Sequence, residues 1–370
     1  MKRKIRLGVI FGGRSGEHEV SLMSARSVLS VLDIEKYDIT QIGIDHDGKW
    51  WSGENALEAL DNCNTDNLYR VFLLPEPGNT VLFRRSIGGD TETVQPTTHL
   101  DVVFPVLHGT FGEDGTLQGF FEMADVAYVG AGVLGSSVGM DKGVFKDVMR
   151  SNNIPVVDWI TCTRKDVAKD VEAIIEKCEA LAPYPLFIKP ANLGSSVGIT
   201  KAKNRSDLLE GIMDATRFDR RILIERGINA REIEVSVIGN EDCHASIPGE
   251  IKPSDEFYSY KAKYLNGKSE LFIPAPIPDE LTERIREMAV KTYRAIDCAG
   301  LARVDFLVEK DTNELFLNEV NTIPGFTSIS MYPKLWEAGG LSYVDLIDKL
   351  IDLAFERKQE RNKSERTFGD

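Results

Sequence analysis

Apolar segments alternate with helix-forming segments in the first third of the chain, and this alternation restricts the possible folds more than any other property of the sequence. An apolar segment at 5–11 runs into a glycine-rich turn at 12–16, and a helix-forming segment at 17–32 follows. The alternation continues with segments at 39–44, 101–107, 116–124 and 126–129. Strands that alternate with helices predict a parallel α/β layer, in which ligands bind at the carboxyl ends of the strands.

Other segments of the chain differ from this pattern in composition. Residues 46–98 are polar and interrupted by Gly and Pro, which predicts a peripheral hairpin and loops. Residues 250–278 are rich in Lys, Ser, Tyr, Gly and Pro, and predict a long loop that closes as a lid. About fifteen residues at the end are nearly all polar, so we expect them to fray. Further helices are predicted at 142–150, at 165–181 and from about 278, and further strands at 156–161, 185–189, 222–225, 232–238 and 302–308.

The composition limits the classes of partner. The chain has 370 residues and a net charge of −14, which argues against a general nucleic-acid binder and against an anionic membrane surface. A phosphate ligand remains possible where a few cations converge. The five cysteines include no Cys-x-x-Cys pair and indicate thiols of a reducing compartment. Because no stretch approaches the ~20 apolar residues of a membrane span, we expect a cytoplasmic protein.

Two glycine-rich turns are candidates for phosphate binding. Gly130, Gly132 and Gly135 have the spacing of a dinucleotide fingerprint, but no acidic residue clearly follows at the required distance. This segment is therefore either an inter-domain turn or a nicotinamide site. Lys189 ends a predicted strand and is followed by the small residues of 194–198, which favours a phosphate cradle over a plain hairpin tip.

The strongest local pattern is a hairpin with polar residues on one face. A polar turn centred on Thr312 would place Asp305 directly opposite Glu319. It would also place Arg303 opposite Asn321 on the same face. Two facing carboxylates repel each other unless a cation lies between them, and oxygen ligands suit Mg²⁺ or Mn²⁺. The alternative is a solvated sheet face with an Arg–Asp pair.

Three further segments carry polar groups. Residues 108–115 follow the end of a strand, where α/β proteins bind ligands. Residues 321–328 follow the second strand of the hairpin and are suited to present backbone N–H groups and hydroxyls. Residues 17–19 open the first helix, where they either cap the helix or contact a cationic group.

Together these motifs resemble the D-alanine–D-alanine ligase family of the ATP-grasp superfamily, in the same order and over nearly the whole chain. The resemblance implies an α/β protein, with α+β character in the ATP-grasp part. A parallel α/β layer would be followed by two sheets that clamp ATP. It implies a Rossmann-like domain at 1–130, a central ATP-grasp subdomain at 131–222 and a C-terminal subdomain at 223–358, which holds the metal site and the lid. Arg226 and Gly227 stand where the family often has a lysine and a bulkier residue over the adenine.

The resemblance also implies roles for individual residues. Those implied to hold the first D-alanine and the oxyanion are Glu17, Ser195, Tyr264, Arg303 and the N–H of Gly325. Those implied to bind ATP are Lys142, Lys189, Ser196, Glu225, Ile228, Glu232 and Lys263. Those implied to bind two Mg²⁺ or Mn²⁺ ions are Asp305, Glu319 and Asn321. Those implied to line the D-alanine sites are His108, Ser328 and Met331.

The implied activity is the ATP-dependent joining of two D-alanines through D-alanyl phosphate, for peptidoglycan precursor synthesis. A ligase that uses D-lactate or D-serine is an alternative. In the resemblance, Tyr264 favours dipeptide formation, because depsipeptide ligases tend to carry histidine at that position. An NAD-dependent dehydrogenase that uses the turn at 130–135 is an alternative of a different class. We expect small-molecule partners only, without nucleic acid or membrane, and a homodimer.

Overall fold

The computed structural model describes residues 3–88, 91–194, 198–252 and 270–365, which form three β-sheets with flanking helices. The first sheet has the strand order β6-β5-β4-β3-β2-β1-β7-β8. Its strands are β1 (Ile5–Gly12), β2 (Tyr37–Ile44), β3 (Trp50–Ser52), β4 (Tyr69–Leu73), β5 (Val81–Gly88), β6 (Thr91–His99), β7 (Val102–Val106) and β8 (Ala127–Tyr128). Its helices are α1 (His18–Val31), α2 (Ala56–Asp61) and α3 (Thr116–Ala124).

The predicted parallel layer is confirmed in this sheet. Strand β1 pairs in parallel with both β2 and β7, and β7 pairs in parallel with β8. Gly12 ends β1 at a φ of +86°, where a Cβ atom would lie 2.2 Å from the carbonyl oxygen of Ile44, so only glycine fits. The stretch at 46–98 is more regular than predicted, because β3 to β6 extend the sheet as successive antiparallel strands.

The second sheet is antiparallel with the order β11-β10-β12-β9. Its strands are β9 (Trp159–Thr163), β10 (Leu186–Pro190), β11 (Thr200–Ala202) and β12 (Arg221–Arg226). The helices around it are α4 (Val133–Met140), α5 (Lys142–Ser151), α6 (Arg164–Lys169), α7 (Val171–Leu181) and α8 (Arg205–Phe218). The single helix predicted at 165–181 is wrong, because Asp170 ends α6 and its side chain accepts the N–H of Ala173 to cap α7.

The third sheet has the order β16-β15-β13-β17-β18, with β14 paired to β13. Its strands are β13 (Ala230–Gly239), β14 (His244–Ala245), β15 (Gly249–Lys252), β16 (Glu270–Phe272), β17 (Gly300–Glu309) and β18 (Leu315–Asn321). The last helices are α9 (Asp279–Ala295), α10 (Met331–Ala338) and α11 (Tyr343–Arg361). The predicted lid at 250–278 is not wholly irregular, because β16 and most of β15 lie within it and pair with each other. Residues 253–269 between these strands lie outside the described part of the chain.

The last helix returns to the first sheet. Leu346 and Leu350 of α11 are fully buried and belong to the same apolar core as Val102 and Phe104 of β7. The predicted fraying is wrong for residues 356–361, which are helical. Among the described residues, no helix is both long and apolar enough to cross a membrane. The predicted division at 222/223 crosses β12, which pairs within the second sheet; the domain boundaries stay a prediction.

Candidate active site

A cavity of about 1140 Å³ is lined by residues of the second and third sheets and by loop residues, among them Glu17 before α1 and His108 after β7. Its volume suits a nucleotide together with a second small ligand. The predicted site residues that line it are Glu17, His108, Lys142, Lys189, Glu225, Ile228, Glu232, Arg303, Asp305, Glu319, Asn321, Gly325 and Met331.

The remaining predicted residues are placed differently. Ser328 is exposed and does not line the cavity, whereas Ser330 two residues later does. The other four predicted residues lie outside the described part of the chain, and they are Ser195, Ser196, Lys263 and Tyr264.

The hairpin of β17 and β18 has the predicted register at the site. Asp305 lies opposite Glu319, and Arg303 lies opposite Asn321. Arg303 donates from Nε and Nη2 to the two carboxylate oxygens of Asp305, both at 2.7 Å. Asn321 donates from Nδ2 to Asp305 at 3.0 Å. The carboxylate of Asp305 is therefore held in one orientation by three N–H groups.

Glu234 was not identified from the sequence and extends this polar row to a third strand. It lies opposite Asp305 on β13, it is buried, and its Oε2 lies 3.0 Å from Nε of Arg303. The signal was present, because Glu232 and Glu234 alternate with apolar Ile233 along β13. The carboxylates of Glu234, Asp305 and Glu319 therefore lie at neighbouring positions on three adjacent strands.

The donor set fits a hard divalent cation. Asp305, Glu319 and Asn321 offer carboxylate and amide oxygens at neighbouring positions, which Mg²⁺ and Mn²⁺ prefer. Among the described residues, no cluster of three or more His, Cys, Asp or Glu side chains has metal-binding geometry, so this site would depend on the amide oxygen and on substrate oxygens. Such a site is typical of a metal ion that binds together with phosphates.

Lysine side chains face the row of carboxylates from the second sheet. Lys189 of β10 lies 2.6 Å from one oxygen of Glu225, and Lys146 of α5 lies 2.8 Å from the other. Burial alone would raise the pKa of Glu225, but these two ammonium groups outweigh it and hold the pKa at about 2. Burial likewise opposes the charge of Lys189, yet Glu225 raises its pKa. Both groups are therefore charged at neutral pH.

Lys142 completes the cationic side of the cavity. Its ammonium group donates to the carbonyl oxygen of Leu193 at 2.6 Å, and burial lowers its pKa. Lys146 was not singled out from the sequence, although it lies four residues after Lys142 and therefore on the same face of α5. A group of lysines that are buried or half-buried opposite a row of carboxylates is suited to hold a polyphosphate with its metal ions.

The comparisons with known proteins agree with this geometry. A family model described as D-ala D-ala ligase N-terminus matches residues 6–131, and one described as D-ala D-ala ligase C-terminus matches residues 148–352. The chain belongs to the D-alanine–D-alanine ligase family. The fold class predicted for it, an α/β protein with the ATP-grasp arrangement, is confirmed.

Individual relatives cover the whole chain. A D-alanine–D-alanine ligase of Natranaerobius thermophilus is 47% identical over 369 residues and covers 100% of both chains. One of Acetivibrio thermocellus is 48% identical and covers 98% of this chain and 99% of its own. The solved structure of the ligase from Coxiella burnetii has a TM-score of 0.82 at 36% identity, covering 97% of this chain and 96% of that one. The VanG D-Ala:D-Ser ligase from Enterococcus faecalis also has a TM-score of 0.82, at 37% identity, covering 95% of this chain and 100% of that one.

Membership of this ligase family excludes the dehydrogenase alternative, and the structure explains the misleading glycines. Gly132 precedes α4, and Gly135 lies within it. A Cβ atom on Gly135 would lie 3.1 Å from the carbonyl oxygen of Asp297, so this glycine allows a close approach between α4 and the segment before β17. Neither glycine lines the cavity.

Gly227, in the predicted adenine region, packs directly against the backbone of Pro185. A Cβ atom on Gly227 would lie 2.5 Å from the carbonyl oxygen of Pro185, which accepts the N–H of Gly227 at 3.0 Å. A bulkier residue therefore cannot occupy this position without moving the backbone. The guanidinium of Arg226 lies 5.5 Å from the ring centroid of Phe316.

A half-buried glutamate, which was not assigned a role from the sequence, also lines the cavity. Glu113 accepts the N–H of Gly109 at 2.7 Å and the N–H of Ile323 at 2.9 Å. Burial, followed by the charge of Glu17, raises the pKa of Glu113 to about 8. Only its position within the motif at 108–115 hinted at a role.

Proposed function

We propose that this chain joins two D-alanine molecules to D-alanyl-D-alanine, with ATP converted to ADP and phosphate. The observation that carries the proposal is the cavity in which the half-buried Lys142 and Lys189 lie opposite the carboxylates of Asp305 and Glu319 across a nucleotide-sized space. Family membership supplies the substrate class. A carboxylate does not form an amide unless it is activated, and phosphorylation to an acyl phosphate supplies that activation.

Our proposal for the nucleotide divides the cavity into two parts. Lys142 and Lys189 would contact the phosphates, while Glu225, Ile228 and Glu232 would contact the adenosine. In the structure Glu225 contacts two lysines, so it would also hold Lys189 in place. Ser196 and Lys263 would contact phosphate oxygens.

The metal site would lie on the opposite wall. Asp305, Glu319 and Asn321 would hold two Mg²⁺ or Mn²⁺ ions, which would neutralise phosphate charge when bound. The three N–H groups on Asp305 support this, because they fix the carboxylate before any ion arrives.

The amino-acid sites would lie beside this wall. Glu17 would bind the ammonium group of the first D-alanine and form a linked trio with Ser195 and Tyr264. Arg303 and the N–H of Gly325 would stabilise the oxyanion of the tetrahedral intermediate. The residues proposed to line the D-alanine sites are His108, Ser328 and Met331.

The organisation of the protein is also part of the proposal. We propose domains at 1–130, 131–222 and 223–358, with a lid at 250–278 that excludes water from the acyl phosphate. We further propose a cytoplasmic homodimer that supplies peptidoglycan precursors.

A second candidate function is the use of D-serine as the second substrate. The similarity to the VanG D-Ala:D-Ser ligase favours it, since that structure matches this one as well as the Coxiella burnetii ligase does. Tyr264 favours an amino acid over a hydroxy acid, because a neutral phenol supplies no positive charge for the carboxylate of D-lactate.

The test is ADP release by the purified chain with Mg²⁺, measured with D-alanine alone and with D-alanine together with D-serine, D-lactate or L-alanine, each with product analysis. We expect D-alanyl-D-alanine from D-alanine alone. Lys189→Met should abolish turnover, whereas the matched variant at exposed Lys165 in α6, Lys165→Met, should retain it. Absence of D-alanine-dependent ADP release in the wild type would refute the proposal, and a mixed product with D-serine would support the second candidate.

A further inference from the structure

The loop after β18 is held by side chains from distant parts of the chain. The N–H of Ile323 donates to Glu113 at 2.9 Å, and the carbonyl oxygen of Ile323 lies 2.9 Å from Nδ1 of His108. Three residues later, the N–H of Phe326 donates to Oγ of Ser24 at 3.2 Å, and the carbonyl oxygen of Phe326 accepts from Tyr343 at 3.2 Å. Both backbone polar groups of each residue are therefore bound by side chains.

These four side chains come from three places in the fold. Ser24 is in the middle of α1, His108 and Glu113 follow β7, and Tyr343 opens α11. None of them belongs to the third sheet, from which the loop emerges. We refer to the four as the clasp, and its members are Ser24, His108, Glu113 and Tyr343.

The hydrogen bonds of His108 leave neither ring nitrogen free. The carbonyl oxygen of Ile323 can only accept, so Nδ1 carries the proton. Burial lowers the pKa of His108, so the neutral ring accepts at Nε2 from the hydroxyl of Ser24, 3.0 Å away. The hydroxyl oxygen of Ser24 then accepts the N–H of Phe326. Each group in this chain of hydrogen bonds therefore donates to the next: the N–H of Phe326 to Ser24, the hydroxyl of Ser24 to His108, and Nδ1–H of His108 to the carbonyl oxygen of Ile323.

Gly325 lies between the two held residues and lines the cavity. A Cβ atom there would lie 2.7 Å from Oγ of Ser330, so any other residue at this position would have to displace that hydroxyl. Because Ile323 and Phe326 are fixed, the peptide planes between them have little freedom.

We propose that the clasp positions the loop at 322–326 and thereby aims the N–H of Gly325 into the cavity. Within the clasp, His108 acts on the reaction through the position of the loop. This inference rests on the proposed function, in which the N–H of Gly325 stabilises the oxyanion. An oxyanion donor contributes only when it is preorganised, so the clasp would control the rate of a reaction whose other oxyanion donor, Arg303, lies on the third sheet.

Ser24→Ala is the decisive variant. Ser24 is fully buried, lies in a helix that tolerates alanine, and does not line the cavity, so it cannot bind substrate directly. We expect kcat to fall about tenfold, less than the roughly hundredfold loss that follows removal of an oxyanion donor, while KM for ATP and for D-alanine stays unchanged. The matched control is Ser30→Ala on the same helix, where the exposed hydroxyl bonds only the preceding turn at Ser27.

A second variant tests whether the members act together. Glu113→Gln keeps one acceptor oxygen and loses the other, so it should also lower kcat. Combined with Ser24→Ala, its effect should be smaller than the product of the two separate effects, because both act on the same loop. Multiplicative effects would overturn the inference.

Hydrogen exchange supplies a readout that does not depend on turnover. In Ser24→Ala the amides of Ile323 and Phe326 should exchange faster than in the wild type, and in Ser30→Ala they should not. Unchanged exchange, unchanged kcat, or a raised KM for D-alanine at constant kcat would each overturn the inference. A wild-type chain without ligase activity would refute the proposed function instead, and the exchange rates would still decide whether the clasp holds the loop.

Discussion

Asp305 lies directly opposite Glu319 across β17 and β18, although the strands between this pair and the turn are shifted by one residue. Closer to the turn, Phe306 pairs with Leu317, so Asn318 is an extra residue and forms a bulge. The bulge lets Leu317 and Val320 both face the core while Glu319 faces the cavity. Without it, Glu319 would follow Leu317 into the core.

Replacement of Asp305 should affect activity much more than folding. Asp305→Asn keeps the volume and some of the hydrogen bonds but removes a hard anionic ligand, so we expect a rate loss of about a hundredfold or more and a higher Mg²⁺ requirement. The measurement is ADP release against Mg²⁺ concentration, together with thermal unfolding. Asp311→Asn, in the exposed turn of the same hairpin, is the control and should behave as the wild type. An equal Mg²⁺ requirement in Asp305→Asn would contradict the metal assignment.

Removal of the buried ammonium group of Lys146 should cost stability. Lys146→Met keeps the length of the side chain but leaves Glu225 with Lys189 as its remaining ammonium partner, so we expect a loss of about 2 kcal/mol at pH 7. The pKa of Glu225 is about 2, below its ordinary value of 4.5, so its stabilising contribution is present above pH 4.5 and is lost towards pH 2. The difference in the free energy of unfolding between Lys146→Met and the wild type should therefore become smaller as the pH falls from 4.5 towards 2.

Urea unfolding at several pH values measures this difference. Lys165→Met replaces an exposed lysine and should change the free energy of unfolding by less than about 0.5 kcal/mol at every pH. A difference for Lys146→Met that stays constant from pH 5 to pH 2.5 would show that its ion pair with Glu225 is not the cause.

The hairpin shows how far the sequence alone can predict this site. Strand alternation placed Arg303 and Asp305 on one face, and the register at the site is as predicted. The predicted turn centre at Thr312 was wrong. The pairs nearest the turn, such as Phe306 with Leu317, are centred half a residue earlier, and the bulge then brings Asp305 opposite Glu319. The sequence did contain a signal for the bulge, since the apolar residues Leu315, Leu317 and Val320 change spacing from two to three.

Glu113 and Lys146 could not be predicted in the same way. The function of each depends on burial and on partners far away in the sequence, such as the N–H of Ile323, 210 residues from Glu113. Local periodicity carries no information on such contacts. The predicted fraying of the C-terminus failed for the same reason, because the charged residues of the last helical turns have acidic partners in the first α/β layer.

The end of α11 should stabilise the protein through these contacts. Arg361 binds both Glu122 and Asp125, Lys358 donates to the backbone of Asp125, and Arg357 lies 4.0 Å from the ring centroid of Tyr128. Deletion of residues 357–370 should therefore lower the free energy of unfolding by about 2 kcal/mol, since the ion pairs are half-buried. Deletion of 362–370, which keeps all three residues, is the control for urea unfolding. Equal stability of the two truncated chains would show that the contacts contribute nothing.

Glu113 should make the stability of the protein fall as the pH rises. Its pKa is raised from 4.5 to about 8, so between these values the folded state binds a proton that the unfolded state has lost. The free energy of unfolding then decreases with pH across this window, by at most about 1.4 kcal/mol per pH unit for one group. Glu113→Gln stays neutral and should lose this slope.

Glu113→Gln should differ from the wild type in how the free energy of unfolding changes with pH, and also in its value at a given pH. Glu113→Gln loses one acceptor for a buried N–H, so it should be less stable than the wild type at pH 5, and the gap should close or reverse by pH 8. Glu210→Gln, on the exposed face of α8, controls for the change of charge and should follow the wild-type slope. Urea unfolding at half-unit pH steps measures all three proteins. If the free energies of unfolding of the wild type and Glu113→Gln change in parallel from pH 5 to pH 8, the carboxyl group of Glu113 is ionised throughout, and the charge of Glu17 does not raise its pKa.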